Sequence, residues 1–329
     1  MKVAILQFNP RLGEVEANIK HADDLLSKCT VNLDLLVLPE MAFTGYNFPT
    51  VDAITPYLEP TTSGPSTQWA IKTAQERQCH VIVGYPETTS PTPADPPGSV
   101  PQNFNATVTI SPTGKVIATY RKSFLYYTDE TWATEGFRAT PLGIPFYASH
   151  LPALGQVGHG ICMDINPYRF ESPWTNYEFA TTMLKNQCRL VILSMAWLTR
   201  LTPEDTETSP DSPDMETVAY WLERFWPFVD SAPQEPIVVV FANRCGSEGS
   251  GKGTMKMEHG EAIELGDRVA YAGSSCVMRF QDGTVKLWER IDGRGKGDVG
   301  LLGKGEETVL VVDTGMQASF LLQQKGGAA

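Results

Sequence analysis

The stretch LVLPEMAFTGY (residues 36–46) closes a short apolar run on a proline and places Glu40 directly after it. The run has the length of a strand and lies between Asn32 and Pro39, a pattern typical of a strand that is covered on both faces. Because ligands of α/β sheets gather outside the carboxyl ends of the strands, Glu40 is a candidate for chemistry. Its alternative role is that of a strand-end carboxylate bound to backbone amides.

Two further polar residues end apolar runs in the same way. Lys122 follows VIATYR, and Cys162 follows GQVGHGI. A thiol, a carboxylate and an ammonium form a consistent set: the thiol attacks a carbonyl, the carboxylate takes its proton, and the ammonium stabilises the negative oxygen. Taken singly, the cysteine has the alternative role of a small buried hydrophobe, and the lysine that of a solvated hairpin end.

The remaining cysteines are weaker candidates for a nucleophile. Cys245 also follows a strand (VVVFANR), but the sequence places no acid–base partner beside it. The other four lie in or beside periodic apolar elements and fit the role of a buried hydrophobe: Cys29, Cys79, Cys188 and Cys276.

Composition limits the class of protein. The 329 residues, 42 % hydrophobic and 19 % charged, suit one large domain over residues 1–329. A net charge of −12 argues against nucleic acid or an anionic membrane as a partner, since both require a basic face. Six scattered cysteines without a CxxC pair indicate reduced thiols. With no signal peptide and no membrane span visible, we expect a cytoplasmic or nuclear protein.

The order of elements predicts an α/β fold with two similar halves. In each half a strand, a helix, a strand, a helix and a strand precede a hairpin, which turns at Pro112-Thr113-Gly114 in the first half and at QDG in the second. The helices of the second half are expected over residues 173–187, with Ser172 as cap, and over residues 215–230. Two such units would pack as one duplicated domain.

Two irregular segments interrupt this order. PETTSPTPADPPGSVPQN is rich in proline, and TPEDTETSPDSPDMET is acidic and carries three prolines. Both are typical of exposed insertions. Alternatively, they border the entrance to a substrate site.

Three segments together resemble a known family. LVLPEMAFTGY, YRKSFLYYTDETW and GHGICMDINPYRF, in this order, are similar to the three signatures of the nitrilase superfamily of carbon–nitrogen hydrolases. The opening segment and the later VVFANRCGSE, GSS and DGTV also resemble that family. The resemblance implies a four-layer α-β-β-α sandwich and a thioester intermediate, with no metal and no organic cofactor.

The resemblance also implies residue roles. Glu40 takes the position of the general base, Lys122 that of the oxyanion-stabilising lysine, and Cys162 that of the nucleophile, with the backbone N–H of Met163 as a second oxyanion donor. Members of the family often carry a second glutamate shortly after the lysine.

Two residues compete for the place of this second glutamate. TDETW offers Asp129 and Glu130, and Glu130, which precedes Thr131 and Trp132, matches the family pattern better.

The segment around the cysteine indicates a branch of the family. GICMDINPYRFESPWTNYEFA and LSMAWLT are similar to fungal amidohydrolases that convert an N-terminal Asn or Gln of a protein to Asp or Glu, which feeds the N-degron pathway. The implied partners are polypeptides with a free N-terminal Asn or Gln. Asp164 is placed to bind the α-amino group, and its alternative role is to stabilise the turn by binding backbone N–H groups.

Two other functions remain open at this point. One is a small-molecule amidase of the same superfamily, of the ω-amidase or carbamoyl-amide hydrolase type. The other is a catalytically silent scaffold, although the joint presence of Glu40, Lys122 and Cys162 speaks against it. The oligomeric state and the preference between Asn and Gln do not follow from the sequence.

Overall fold

The computed structural model describes residues 1–91, 98–140, 142–249, 253–256, 262–265, 268–291 and 297–322. Residues 92–97, in the middle of the proline-rich segment, lie outside the described part. In chain order the strands are β1 (Lys2–Gln7), β2 (Leu35–Val37), β3 (Glu59–Pro60), β4 (His80–Thr88), β5 (Asn103–Ile110), β6 (Val116–Arg121), β7 (Tyr147–Leu151), β8 (Gly155–Ile161), β9 (Leu190–Met195), β10 (Ile237–Asn243), β11 (Ser247–Gly249), β12 (Gly253–Lys256), β13 (Ala262–Leu265), β14 (Arg268–Ala270), β15 (Cys276–Gln281), β16 (Thr284–Leu287), β17 (Thr308–Asp313) and β18 (Phe320–Leu322).

The helices are shorter than a membrane span. They are α1 (Val15–Ser27), α2 (Val51–Ile54), α3 (Pro65–Arg77), α4 (Glu178–Lys185), α5 (Pro203–Thr208), α6 (Met215–Arg224) and α7 (Trp226–Asp230). Within the described ranges, no helix has the length and apolar character needed to cross a bilayer.

The two halves of the chain form two sheets with corresponding strand orders. The first sheet runs β17-β1-β2-β4-β5-β6 with β3 beside β4, and the second runs β18-β16-β15-β10-β9-β8-β7. Three consecutive parallel strands form the centre of each, β1, β2 and β4 in the first and β8, β9 and β10 in the second, and the short β3 also runs parallel to β4. A hairpin then extends each sheet in antiparallel fashion, β5 with β6 and β15 with β16. The predicted repetition of one unit in each half is confirmed.

The buried side chains form three apolar layers. Helices α1 and α3 pack on the outer face of the first sheet, and α4, α6 and α7 pack on the outer face of the second. The inner faces of the two sheets pack on each other through a third cluster, in which Ile5 and Val37 of the first sheet join Ile192 and Val240 of the second. The fold is therefore the expected four-layer α-β-β-α sandwich.

Two helices of the second half begin or end at other residues than the sequence predicts. The helix expected over residues 173–187 begins at Glu178, because Tyr177 adopts a left-handed conformation (φ 45°) after a separate 3₁₀ turn, Trp174–Asn176. Ser172 is therefore not its cap. The helix expected over residues 215–230 is two helices, since Pro227 has no N–H to continue the hydrogen-bond ladder.

Candidate active site

Three strand ends meet at one point between the two sheets. Glu40 lies three residues after β2, Lys122 directly after β6, and Cys162 directly after β8. Glu40 and Lys122 are fully buried, and their Oε1 and Nζ atoms are 2.6 Å apart. Cys162 is 8 % exposed and lines a cavity of 470 Å³. Cys162 thus reaches the cavity, and the buried Glu40 and Lys122 lie close enough to its thiol for their charges to act on it.

The backbone around Cys162 turns sharply. The residue has a φ of 43° at the junction between β8 and a 3₁₀ turn, Cys162–Ile165. A left-handed conformation is uncommon for a residue with a side chain, and such residues are concentrated at functional sites. Asp164 Oδ2 accepts a hydrogen bond of 2.7 Å from the N–H of Ile161 and thereby closes the turn.

Asp164 is fully buried and does not line the cavity. Its Oδ1 accepts hydrogen bonds from the N–H groups of Ser123 (3.0 Å) and Phe124 (2.8 Å). Its Oδ2 accepts one from the hydroxyl of Tyr120 (2.8 Å), besides the one from Ile161. The prediction that Asp164 binds an α-amino group is therefore wrong, because the residue does not line the cavity and its carboxylate already accepts four hydrogen bonds inside the protein. Through these hydrogen bonds Asp164 links the turn at Cys162 to the segment that follows Lys122. Burial raises the pKa of its carboxyl to about 7.

The ammonium of Lys122 lies between two carboxylates. Its Nζ is 2.6 Å from Glu40 Oε1 and 2.6 Å from Asp129 Oδ2. The assignment of Glu130 as the second carboxylate is wrong, since the 3₁₀ turn Asp129–Thr131 directs Asp129 inward and leaves Glu130 exposed. The family pattern of a second glutamate is met here by an aspartate.

Asn105 of β5 forms hydrogen bonds with both carboxylates, those of Glu40 and Asp129. The sequence motifs did not identify it as a site residue. Its Nδ2 donates to Glu40 Oε1 (2.6 Å) and to Asp129 Oδ1 (3.0 Å). Asp129 Oδ2 also accepts from the hydroxyl of Tyr46 (3.2 Å) and the N–H of Tyr126 (3.0 Å). The sequence carried no clear signal for it, because β5 also contains Asn103, Thr107 and Thr109 and the burial of Asn105 is visible only in the structure. One amide thus fixes the distance between the two carboxylates.

The buried charges determine the resting protonation state. Burial alone would lower the pKa of Lys122, but the carboxylates of Asp129 and Glu40 outweigh it and raise that pKa. Burial raises the pKa of Glu40, against the opposing effect of Lys122. Burial and the nearby Glu40 raise the pKa of Cys162 well above its ordinary value, although Lys122 and the N–H of Ala196 lower it. A raised pKa favours the neutral, protonated form of the Cys162 thiol.

Glu40 is positioned by both sheets. The N–H of Ala196, which directly follows β9, donates to Glu40 Oε2 at 2.7 Å. On the other side its backbone packs on β4, where a Cβ added to Gly84 would come within 2.7 Å of Glu40 Cα. The glycine allows this close approach.

The walls of the cavity are mainly aromatic and apolar. The aromatic lining residues are Tyr46, Tyr126, Tyr127, Phe170, Trp197 and Tyr220. Part of the acidic segment also lines it, including Asp214 and Glu216. Part of the acidic segment therefore forms a wall of this cavity, and its role at a substrate entrance stays a prediction.

Met163 and Cys245 occupy different surroundings. Met163 lines the cavity beside Cys162, and the oxyanion role of its backbone N–H stays a prediction. Cys245 is fully buried away from the cavity, its N–H donates to the carbonyl of Phe8 at 3.1 Å, and burial raises the pKa of its thiol. Cys162 is thus the cysteine with both a base and access to the cavity.

The fold and this site define the class of protein. The sequence profile of the carbon–nitrogen hydrolases matches residues 2–168. The chain belongs to the carbon–nitrogen hydrolase family.

Two curated relatives carry the name protein N-terminal amidase. The chain is 34 % identical to the one from Schizosaccharomyces pombe over 303 residues, which cover 87 % of this chain and 94 % of the relative. It is 28 % identical to the one from Saccharomyces cerevisiae, over 70 % of this chain and 64 % of the relative. A crystal structure of an N-terminal amidase with an Asn-Glu-Ala peptide has the same fold, with a TM-score of 0.71 and 22 % identity over 98 % of this chain and 99 % of that one.

The two neighbouring carboxylates of the 3₁₀ turn provide a matched pair of variants. Asp129→Asn removes one of the two charges that hold Lys122, so we expect kcat to fall by about a hundredfold through misplacement of the ammonium. Glu130→Gln, one residue away and exposed, should keep wild-type kcat. Steady-state kinetics of amide hydrolysis on both variants measure this. If kcat fell in Glu130→Gln and stayed unchanged in Asp129→Asn, Glu130 and not Asp129 would be the second carboxylate of the site.

Proposed function

We propose that this protein hydrolyses the side-chain amide of an N-terminal Asn or Gln in polypeptides, releasing ammonia and leaving Asp or Glu. The observation that carries the proposal is the Cys162 thiol, which faces the cavity directly in front of the buried Glu40 and Lys122. The S. pombe relative, matched over nearly its whole length, is a protein N-terminal amidase. Crystal structures of an N-terminal amidase contain Asn-Glu-Ala and Gln-Gly peptides.

In the first half of the reaction, Glu40 accepts the proton of the Cys162 thiol, and the sulfur attacks the carbon of the side-chain amide. The oxygen of the tetrahedral intermediate becomes negative. Two of the three protons of Lys122 bind Glu40 and Asp129, so the third is available to this oxygen, together with the N–H of Met163. Glu40 then returns the proton to the nitrogen, and the C–N bond breaks. Ammonia departs, and the acyl group stays bound to Cys162 as a thioester.

In the second half, water hydrolyses the thioester. Glu40 takes a proton from the water, whose oxygen attacks the thioester carbon, and Lys122 again stabilises the negative oxygen. The C–S bond breaks, the Cys162 sulfur regains a proton, and the new carboxylic acid leaves.

The cavity suits one end of a polypeptide. Leu201 and Met215, which line it, are 40 % and 50 % exposed, so it opens to solvent. Its volume of 470 Å³ lies within the range of about 300–1,000 Å³ typical of ligand pockets. An opening of this kind lets the chain beyond the first residue continue outward.

Asp214 takes the place of Asp164 as the proposed partner of the α-ammonium. It lines the cavity, and its Oδ1 and Oδ2 accept hydrogen bonds from the N–H and hydroxyl of Thr217, with Thr199 also donating to Oδ2. Among the described residues, no basic side chain forms an ion pair with it. Its negative charge is therefore available to a cation in the cavity.

We also propose a cytosolic or nuclear location. All six cysteines are free thiols, a state that persists in a reducing compartment. The surplus of acidic residues gives the protein a net negative charge, which disfavours binding to nucleic acid.

The function is tested by ammonia release from four matched peptides and one free amino acid: a peptide that begins with Asn, one that begins with Gln, the N-acetylated form of each, and free asparagine. We expect turnover of both free-terminus peptides and at least about tenfold lower kcat/KM for the acetylated ones, the equivalent of one charge-assisted hydrogen bond. Turnover of free asparagine or other small amides without turnover of the peptides would favour the ω-amidase or carbamoylase alternative.

The ammonium site is tested with two neighbouring acidic lining residues. Asp214→Asn keeps a side chain that caps helix α6 but removes the charge, so KM for Asn-initiated peptides should rise about tenfold to a hundredfold. Glu216→Gln, exposed and two residues away, serves as the control and should change KM far less. If both variants bind free-terminus peptides as wild type does, another group holds the amine.

A further inference from the structure

A second buried ion pair lies next to the catalytic cluster and takes no part in the mechanism above. Arg244, which directly follows β10, and Glu248 of β11 are both buried, and their Nη1 and Oε1 atoms are 2.5 Å apart. Burying two charges carries a desolvation cost that their attraction often only balances, so the pair is weak evidence for a purely stabilising role.

Glu248 holds the end of the loop that begins at Glu40. Its carboxylate accepts hydrogen bonds from the N–H of Tyr46 (3.1 Å) and the N–H of Asn47 (2.9 Å). The contact is close, because a Cβ added to Gly45 would lie 2.5 Å from Glu248 Oε1, and Gly45 has a φ of 79° that favours glycine. The path of this loop therefore depends on the carboxylate.

The position of Glu248 is itself fixed from two sides. Tyr271 donates its hydroxyl to Glu248 Oε2 at 2.6 Å. The guanidinium of Arg244 lies 4.1 Å from the centre of the Tyr271 ring and donates through Nη2 to the carbonyl of Pro10 at 2.7 Å. The pair is thus a rigid support.

Tyr46 connects this support to the catalytic lysine. Its hydroxyl donates to Asp129 Oδ2, which also binds Lys122 Nζ. The ammonium lies 5.6 Å from the centre of the Tyr46 ring, within the range of a cation–π contact. A continuous series of contacts therefore runs from Arg244 to the ammonium.

We propose that the Arg244–Glu248 pair positions Tyr46 and, through it, the Asp129 carboxylate and the Lys122 ammonium for the acylation of Cys162. Glu248 is a positioning residue, since it contacts neither the cysteine nor the cavity among the described residues. The inference rests on the proposed hydrolysis at Cys162, but not on which amide is the substrate.

The principal variant is Glu248→Gln, which keeps the shape of the side chain and removes its charge. We expect kcat to fall about tenfold to a hundredfold with KM within about twofold of wild type, since supporting partners of functional groups have effects of this size. Glu306→Gln is the matched control, because it removes the charge of another buried pair, Arg290–Glu306, outside the cavity lining. It should lower the melting temperature and leave kcat unchanged.

A double-mutant cycle separates positioning from general destabilisation. If Glu248 acts through Asp129, then Glu248→Gln added to Asp129→Asn should cost much less in kcat than it does in wild type. Full additivity of the two losses, or an effect of Glu248→Gln on melting temperature alone, would overturn the proposal. Should Glu248→Gln fail to fold, Tyr46→Phe removes only the hydroxyl link, and unchanged kcat in that variant would overturn it equally.

The alkylation rate of Cys162 by iodoacetamide, followed against pH, gives a readout independent of the substrate. Displacement of Lys122 in Glu248→Gln should move this profile to higher pH, because an ammonium nearby favours the thiolate. An unmoved profile would contradict the inference. If wild type turned over no N-terminal Asn or Gln peptide while the profile moved, the proposed substrate would fail and the positioning role would stand.

Discussion

The site depends on one buried ammonium held between two carboxylates. Moving Lys122 away from water is unfavourable unless opposite charges and hydrogen bonds replace its hydration. Glu40 and Asp129, each 2.6 Å from Nζ, provide both. In the proposed mechanism the same arrangement leaves the third proton of the ammonium for the substrate oxygen. The contacts that stabilise the buried lysine would then also orient it.

The duplicated sandwich brings this cluster and the thiol together. Glu40, Lys122 and Asn105 come from strands or strand ends of the first sheet, whereas Cys162 and Ala196 follow strands of the second. Neither sheet alone carries a complete site. The packing of the two inner faces therefore has a structural consequence, since it brings Glu40 close to Cys162, the proposed base and nucleophile, at the wall of the cavity.

The sequence predicted those features that a strand end encodes locally. Glu40, Lys122 and Cys162 each follow an apolar run, and their motifs resemble one family, so their convergence was expected. The choice between Asp129 and Glu130 was not encoded in the same way, because a 3₁₀ turn decides which of two adjacent carboxylates points inward. Asp164 was misjudged because proximity in sequence to the nucleophile does not reveal that its oxygens bind backbone groups.

The central claim is that Cys162 becomes acylated by the substrate. The most direct measurement is intact-mass analysis of the enzyme quenched with acid during turnover of an Asn-initiated peptide, followed by digestion to locate the adduct. We expect an added mass equal to that of the peptide minus ammonia, carried by the fragment that contains Cys162. An adduct on Cys245, or continued release of ammonia from an enzyme whose Cys162 has been replaced by alanine, would contradict it.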